Sequence, residues 1–297
     1  MNVKAWITAF RLRTLPLALA SIGMGSFLAA ASHKFHANVL FWAALTTVFL
    51  QILSNLANDY GDTKHGADSD SRQGPARAVQ SGVIGVRKMK TAIVFMAALS
   101  LASGIVLLYI SLGFGTPAFY GFLILGLLSI GAAYAYTASD NPYGYLGLGD
   151  ISVLIFFGLL AVLGTYFLHT GEFEPINLLP AFSMGLFATA VLNVNNIRDM
   201  ESDREAGKRS IPVRIGRKKA VVYHVLLLVV GLATAIFFIV RLPFAYHRLI
   251  VLLAGVPLLI NAKAVIQKTD PKSLDPYLKQ MALSSLLFML LFGISIL

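Results

Sequence analysis

Cysteine is absent from all 297 residues, so neither a disulfide nor a thiolate-bound metal is open to this chain. Charge is scarce: Asp, Glu, Lys and Arg together make 13%, roughly half of what soluble domains carry, while hydrophobic residues make 57% and mean hydropathy is +0.74. That balance excludes an ordinary water-soluble domain and points to lipid as the solvent. The six histidines (His33, His36, His65, His169, His224, His247) show no ligand spacing, which argues against an imidazole metal centre. No low-complexity tract or long linker divides the chain, so one domain over residues 1–297 is expected.

What is present is apolar sequence in lengths that suit a bilayer. A spanning helix needs roughly 20 mainly apolar residues. Nine such runs are expected: Leu15–Ala31, Ala37–Leu56, Thr91–Leu112, Ala118–Tyr136, Ile151–Leu168, Leu178–Ile197, Ala220–Val240, Leu249–Val265 and Met281–Leu297. The fold class that follows is an all-α, multi-spanning membrane bundle. Lys4, Arg11 and Arg13 before the first run share the outline of a cleaved signal peptide, but the run is long enough to span and its removal would unbalance the alternation.

The connections on alternate sides differ in charge. One side holds 21 of the 24 Lys and Arg residues, and the other only Lys34, Arg241 and Arg248. By the positive-inside rule the rich side is cytoplasmic, with the N-terminus there and the C-terminus outside. This accounts for the net charge of +10 without nucleic acid. Nearly all acidic residues share that side; only Glu172 and Glu174 lie opposite. The outer connections are short, whereas Asn58–Lys90 and Arg198–Lys219 are long and charged and Thr137–Asp150 is rich in Gly and Tyr. Long loops on a rigid scaffold are where function concentrates.

Two segments echo each other. Asn55-Leu56-Ala57-Asn58-Asp59-Tyr60-Gly61-Asp62 closes the second run, with Lys64, Asp68 and Arg72 after it. Asn195-Asn196-Ile197-Arg198-Asp199 closes the sixth, with Asp203, Arg204, Lys208 and Arg209 after it. If the helix continues, Asn55, Asn58 and Asp62 share a face, as do Asn55 and Asp59; Asn195, Asp199 and Asp203 stand one turn apart in a stripe. Two halves built this way would face each other across a central cavity open to the cytoplasmic side. Unpaired carboxylates at a membrane boundary are costly, so these should neutralise something. Carboxylate and amide oxygens without sulfur or clustered imidazole suit a hard cation, Mg²⁺ above all. With Lys and Arg following each stripe, the set suits a diphosphate.

These motifs resemble those of the UbiA superfamily of intramembrane prenyltransferases, and in detail its menaquinone branch, the 1,4-dihydroxy-2-naphthoate polyprenyltransferases. Asn58-Asp59-Tyr60-Gly61-Asp62 with Gly66 and Asp68 is similar to that branch's first motif, and Asn196 through Arg209 to its second. Arg11-Leu12-Arg13-Thr14-Leu15-Pro16 and Pro142 through Asp150 resemble two further family segments, with Leu12 where proline is often found. Gly66 stands where the wider superfamily has a third Asp, a departure that fits the menaquinone branch better than the 4-hydroxybenzoate branch.

The resemblance implies transfer of a polyprenyl group from polyprenyl diphosphate to 1,4-dihydroxy-2-naphthoate, with loss of CO₂ and diphosphate, in the bacterial inner membrane. It implies Asp62, Asp199 and Asp203 as catalytic, and Asn58, Asp59, Asp62, Asp68, Asp199 and Asp203 as ligands of Mg²⁺. Lys64, Arg72, Arg204, Lys208 and Arg209 would hold diphosphate. Asn55, Asn195, Arg13, Tyr60 and Tyr143 are further candidates. A tyrosine face (Tyr60, Tyr134, Tyr136, Tyr143 or Tyr145) would shield the prenyl cation. Within the family the rival acceptors are 4-hydroxybenzoate and homogentisate. An ion-coupled transporter is the rival of another class, but it calls for acids near mid-bilayer rather than at helix ends beside Lys and Arg.

Overall fold

The structure, a computed structural model, describes residues 3–66 and 77–297. Among these every regular element is helical, and nine helices are long and apolar enough to cross a bilayer: α1 (Val3–Ala31), α2 (Ala37–Lys64), α3 (Val86–Leu112), α4 (Pro117–Ala135), α5 (Gly149–Thr170), α6 (Pro175–Arg198), α7 (Ile211–Ile239), α8 (Tyr246–Gln267) and α9 (Pro271–Ile296). Helices are the open-ended answer to a solvent without hydrogen-bonding capacity, because each satisfies its own backbone.

At the sparsely charged end, these helices stop within three residues of where hydropathy places them. At the charged end five run further. α1 begins at Val3 rather than Leu15, α2 continues to Lys64 rather than Leu56, and α3, α7 and α9 begin at Val86, Ile211 and Pro271. Hydropathy measures the lipid-immersed length, whereas the backbone ladder continues into the aqueous layer where polar side chains are welcome. α1 is not one smooth rod: Arg11 adopts a left-handed φ of 48° and Leu12–Thr14 form a 3₁₀ turn before Leu15.

α1 packs on α2, α5 and α9, so the first and last helices close the bundle on themselves. α6 lies against α5, α7 and α9, and its Phe187 meets Phe288 of α9 edge to face with ring centroids 4.8 Å apart. Apolar side chains gain little by leaving lipid for protein, so such interfaces depend on packing and small residues. Ala20 and Ser21 of α1 are fully buried. Conversely Phe95, Leu128, Val222 and Leu259 are exposed, and α4 buries only Phe119. Apolar side chains on the outside are what a lipid solvent selects.

Candidate active site

α2 carries the first motif as one unbroken helix. Asn58 and Asp62, one turn apart, therefore face the same way. In the second motif α6 ends at Arg198, and Asp199 bends the chain at φ −95°, ψ 13° into a short helix, Met200–Glu205. Backbone bonds from the Asp199 N–H to the Asn195 carbonyl (2.9 Å) and from the Asp203 N–H to the Asp199 carbonyl (2.8 Å) keep the three residues stacked. Asn58, Asp62, Asn195, Asp199 and Asp203 line one cavity of about 230 Å³. The two halves of the chain do meet across it.

Each carboxylate already holds cations of the chain. Asp62 is buried against the Arg77 guanidinium, with the Lys208 ammonium 2.9 Å from Oδ1 and the Tyr145 hydroxyl donating to Oδ1 at 3.0 Å. The same ammonium is 3.5 Å from Oδ1 of Asp203 and 4.8 Å from the centre of the Tyr145 ring. Asp199 is clasped by its neighbour Arg198, from Nε to Oδ1 at 2.8 Å and from Nη2 to Oδ2 at 2.6 Å. Arg198 also donates to Asn195 Oδ1 at 2.9 Å and to Asp275 Oδ1 at 2.6 Å, and Arg13 reaches Asp275 Oδ2 at 3.4 Å. Burial pushes the Asp203 carboxyl up to about 6; Lys208 opposes the rise, and Asp199 and Asp62 add to it. Burial, with Asp62 close by, likewise raises the phenols of Tyr136 and Tyr145, so both stay neutral.

The Gly/Tyr-rich segment is fastened between the two motifs. At Gly61 a Cβ would stand 2.3 Å from the Thr137 carbonyl oxygen, so only glycine lets α2 approach that backbone. The Thr137 hydroxyl then donates to Asn58 Oδ1 at 2.8 Å, which aims the amide. At the other end Gly147 turns with φ 80°, and a Cβ there would strike the Arg209 carbonyl oxygen at 2.3 Å. The Arg209 N–H donates to the Tyr145 carbonyl at 2.9 Å, and Arg214 to that of Leu146 at 2.6 Å. Tyr145 is positioned by backbone on both sides.

Several expected residues stand elsewhere. Asp59, one helical step from Asn58, faces away from the cavity and accepts the N–H groups of Ala78 and Val79 at 3.0 Å each. Asn55 donates to the Phe10 carbonyl and to Thr14 Oγ1, fixing α1 to α2. Lys64 is exposed and pairs with Asp140 at 2.6 Å; Arg204 pairs with Glu201 at 2.7 Å, and the side chain of Arg209 is exposed. Tyr60 lies under Lys90; Tyr143 donates its hydroxyl to the Ala132 carbonyl and, like Asn55, lines a neighbouring apolar cavity rather than this one. Asp68 and Arg72 lie outside the described residues. Arg13 does line the cavity, and so does Tyr136, one of the five tyrosines considered for shielding the cation; Arg11, Arg77 and Lys279 line it too and were not among the expected site residues. Arg77 counted only toward the charge asymmetry of its loop, since its distance in sequence from Asp62 carries no helical register.

A second, mainly apolar cavity of about 400 Å³ adjoins the first. The two share Gln51, Asn58, Tyr136, Val153, Phe157 and Leu192 in their walls. The second runs among α1 to α5 past Ile22, Leu50, Leu108, Phe122 and Phe156. A polar chamber thus continues into a greasy one inside a single protein.

Among the described residues no three acidic, imidazole or thiolate side chains converge to cage an ion by themselves. The donor set does fit Mg²⁺, which is content with one or two carboxylates and completes its shell with phosphate and water. Asp62, Asp203, Asp199 and the amides of Asn58 and Asn195 are all hard oxygen donors.

Residues 18–289 match the model of the UbiA prenyltransferase family. The chain is 43% identical to the 1,4-dihydroxy-2-naphthoate octaprenyltransferase of Haemophilus influenzae, over 100% of this chain and 96% of that protein. It is 44% identical to the Escherichia coli enzyme of the same name, over 99% and 96%. Among solved structures, an apo UbiA homolog from Aeropyrum pernix superposes with a TM-score of 0.69 over 97% of both chains at 17% identity. A UbiA homolog from Archaeoglobus fulgidus bound to GPP and Mg²⁺ also gives 0.69, over 98% of this chain and 99% of that one, at 17% identity.

Proposed function

The chain belongs to the UbiA prenyltransferase family, and from that premise we propose that it transfers a polyprenyl group from polyprenyl diphosphate to 1,4-dihydroxy-2-naphthoate, releasing diphosphate and CO₂, in menaquinone biosynthesis. The observation that carries this reading is the junction of the two chambers at Asn58 and Tyr136. A diphosphate and a long isoprenoid chain need such a pair of environments joined end to end. The full-length relatives named as dihydroxynaphthoate octaprenyltransferases support the acceptor.

In this reading Arg77, Lys208, Arg11 and Arg13 bind the diphosphate in the polar chamber, and the isoprenoid chain lies in the apolar one. Asp62, Asp199 and Asp203, with Asn58 and Asn195, would hold Mg²⁺, which when bound supplies Lewis-acid stabilisation of the diphosphate leaving group. The guanidinium and ammonium groups add fixed positive charge where negative charge grows as the allylic C–O bond breaks. Tyr136 lies in the wall both chambers share and Tyr145 in the wall of the polar one, and their neutral rings can stabilise the developing allylic cation. The electron-rich naphthoate ring forms the new C–C bond at the carbon bearing its carboxylate. Loss of CO₂ restores aromaticity, so no side chain has to remove a proton there. The apolar walls exclude water that would otherwise capture the cation. The charge asymmetry of the connections supports a cytoplasmic position for the polar chamber and an external C-terminus.

The test is turnover by the purified protein with radiolabelled octaprenyl diphosphate, Mg²⁺ and each acceptor in turn. Prenylated naphthoquinol with stoichiometric CO₂ is expected from 1,4-dihydroxy-2-naphthoate alone, and chelation with EDTA should stop turnover. Comparable product from 4-hydroxybenzoate or homogentisate would overturn the acceptor, and full turnover in EDTA the metal.

A further inference from the structure

The carboxylates that would take Mg²⁺ are already engaged by cations of this chain. The Lys208 ammonium stands where Asp62 and Asp203 converge, at 2.9 and 3.5 Å, and Arg77 holds the other oxygen of Asp62. These acids come from opposite halves of the sequence, and one lysine joins them. Arg77 and Lys208 also line the polar chamber, so both can reach an anion placed there without leaving their elements.

We propose that Lys208 and Arg77 are exchangeable counter-ions that make metal binding conditional on diphosphate. The inference rests on the reading of this cavity as a metal–diphosphate site. A divalent cation reaching Asp62 and Asp203 competes with Lys208 for the same oxygens. If it wins alone, a buried guanidinium and an ammonium lose their carboxylate and nothing replaces it, which is the costly way to break a buried pair. A diphosphate arriving with the metal offers both cations a new acceptor, and each moves from carboxylate to phosphate oxygen. The Lys208 ammonium lies 4.8 Å from the centre of the Tyr145 ring, and Tyr145 is itself held by backbone contacts, so the ring that faces the ammonium stays in place while the side-chain tip moves from carboxylate to phosphate. Metal and diphosphate are then bound with positive coupling, each raising the affinity for the other by the same factor. The chain would not hold a metal on its acids between turnovers.

Manganese titrations of the full-length protein in nanodiscs test this, read by the loss of the free Mn²⁺ electron-paramagnetic signal. They are run with and without geranyl thiolodiphosphate, an analogue that ionises too slowly to turn over. For the unaltered protein the analogue should tighten Mn²⁺ binding by at least about tenfold, within the usual range of couplings between sites. In Lys208→Gln, Mn²⁺ alone should bind about tenfold tighter than in the unaltered protein, and the coupling should fall below about threefold. Lys208→Arg, which keeps the charge, should retain the coupling. Arg77→Gln removes the second counter-ion, should shift both constants in the same direction, and decides the matter if Lys208→Gln does not fold. If both neutral variants bind Mn²⁺ alone no more tightly than the unaltered protein while the analogue still tightens it, the counter-ion exchange is wrong and the metal site stands. If Mn²⁺ binds in no condition, the metal site and the exchange fall together.

Discussion

The carboxylate near the end of α2 and the one that ends α6 border the same cavity, but their counter-charges come from very different places. Asp199 is clasped on both oxygens by Arg198, the residue before it, which in turn reaches Asp275 and Asn195. Asp62 depends on Arg77, Lys208 and Tyr145, none of them on its own helix. One cluster carries its compensation with it, while the other is completed only when the fold brings three loops together. Similar motifs need not be interchangeable parts. The second can keep its charge balance through local fluctuation, and the first cannot.

Replacing each carboxylate by its amide is the strongest way to break that comparison. Asp62→Asn and Asp199→Asn should each slow single-turnover product formation at least about a hundredfold, roughly 2.7 kcal/mol of barrier. Their melting temperatures should separate. Asp62→Asn leaves the Arg77 guanidinium beside a neutral amide and Lys208 with Asp203 alone, the kind of half-broken buried pair that costs about 3–5 kcal/mol. Asp199→Asn leaves Arg198 with Asp275 and Asn195 and should melt closer to the unaltered protein. Equal melting of the two variants would mean that the distant partners of Asp62 contribute no more than a sequence neighbour does.

Asp59 sharpens the contrast inside one motif. It lies one helical step from Asn58, but its carboxylate caps the backbone at Ala78 and Val79. Asp59→Asn keeps one acceptor oxygen for two N–H groups and should cost about 1–3 kcal/mol of stability, the usual penalty for an unmet buried group. Turnover of the folded fraction at saturating Mg²⁺ should stay within about threefold, which is about 0.7 kcal/mol of barrier. A hundredfold loss without a change in melting would return Asp59 to the metal site.

What the sequence makes legible is the local half of this site. Helical register identifies Asn58 with Asp62 and Asn195 with Asp199, because residues one turn apart share a face whatever else the chain does. Hydropathy places nine spans and misses only the helical extensions into water, where apolarity no longer marks the helix. Register also places Asn55 and Asp59 with Asn58, but neighbours at 100° per residue diverge quickly, and packing selects which of them meets the cavity. Arg77, Lys279 and Tyr136 converge through tertiary structure alone. Lys64 and Arg204 follow their motifs closely in sequence, and for that reason attracted a role that side-chain geometry does not give them.

The pH dependence of stability offers a finer test. Burial lifts the folded-state pKa of Asp203 from 3.8 to about 6. Between roughly pH 4 and pH 6 the folded protein therefore binds more protons at this site than the unfolded chain. The contribution of Asp203 to stability accordingly falls as pH rises through that window. In EDTA, the melting temperature of the unaltered protein relative to Asp203→Asn should rise when pH is lowered from 7 to 5. A difference independent of pH would mean that Asp203 is ionised throughout, its burial fully offset by Lys208.

The smallest effects are expected from cations that sit beside the motifs in sequence but outside the cavity in space. Lys64 is exposed and turned to Asp140, and Arg204 is exposed and turned to Glu201. Exposed pairs of this kind are screened by water and salt, and contribute little to stability. Lys64→Ala and Arg204→Ala should leave turnover within about twofold, less than about 0.5 kcal/mol of barrier, and leave the diphosphate concentration at half-maximal rate unchanged. Lys208→Gln and Arg77→Gln should raise that concentration at least about tenfold in the same assay, about 1.4 kcal/mol of binding. The four variants each remove one positive charge, so a general electrostatic attraction for the diphosphate would affect them alike. A graded loss across all four, weakening further with added salt, would show that the loops act as a diffuse basic surface. A split between the cavity pair and the exposed pair would show that only cations aimed into the chamber recognise the diphosphate.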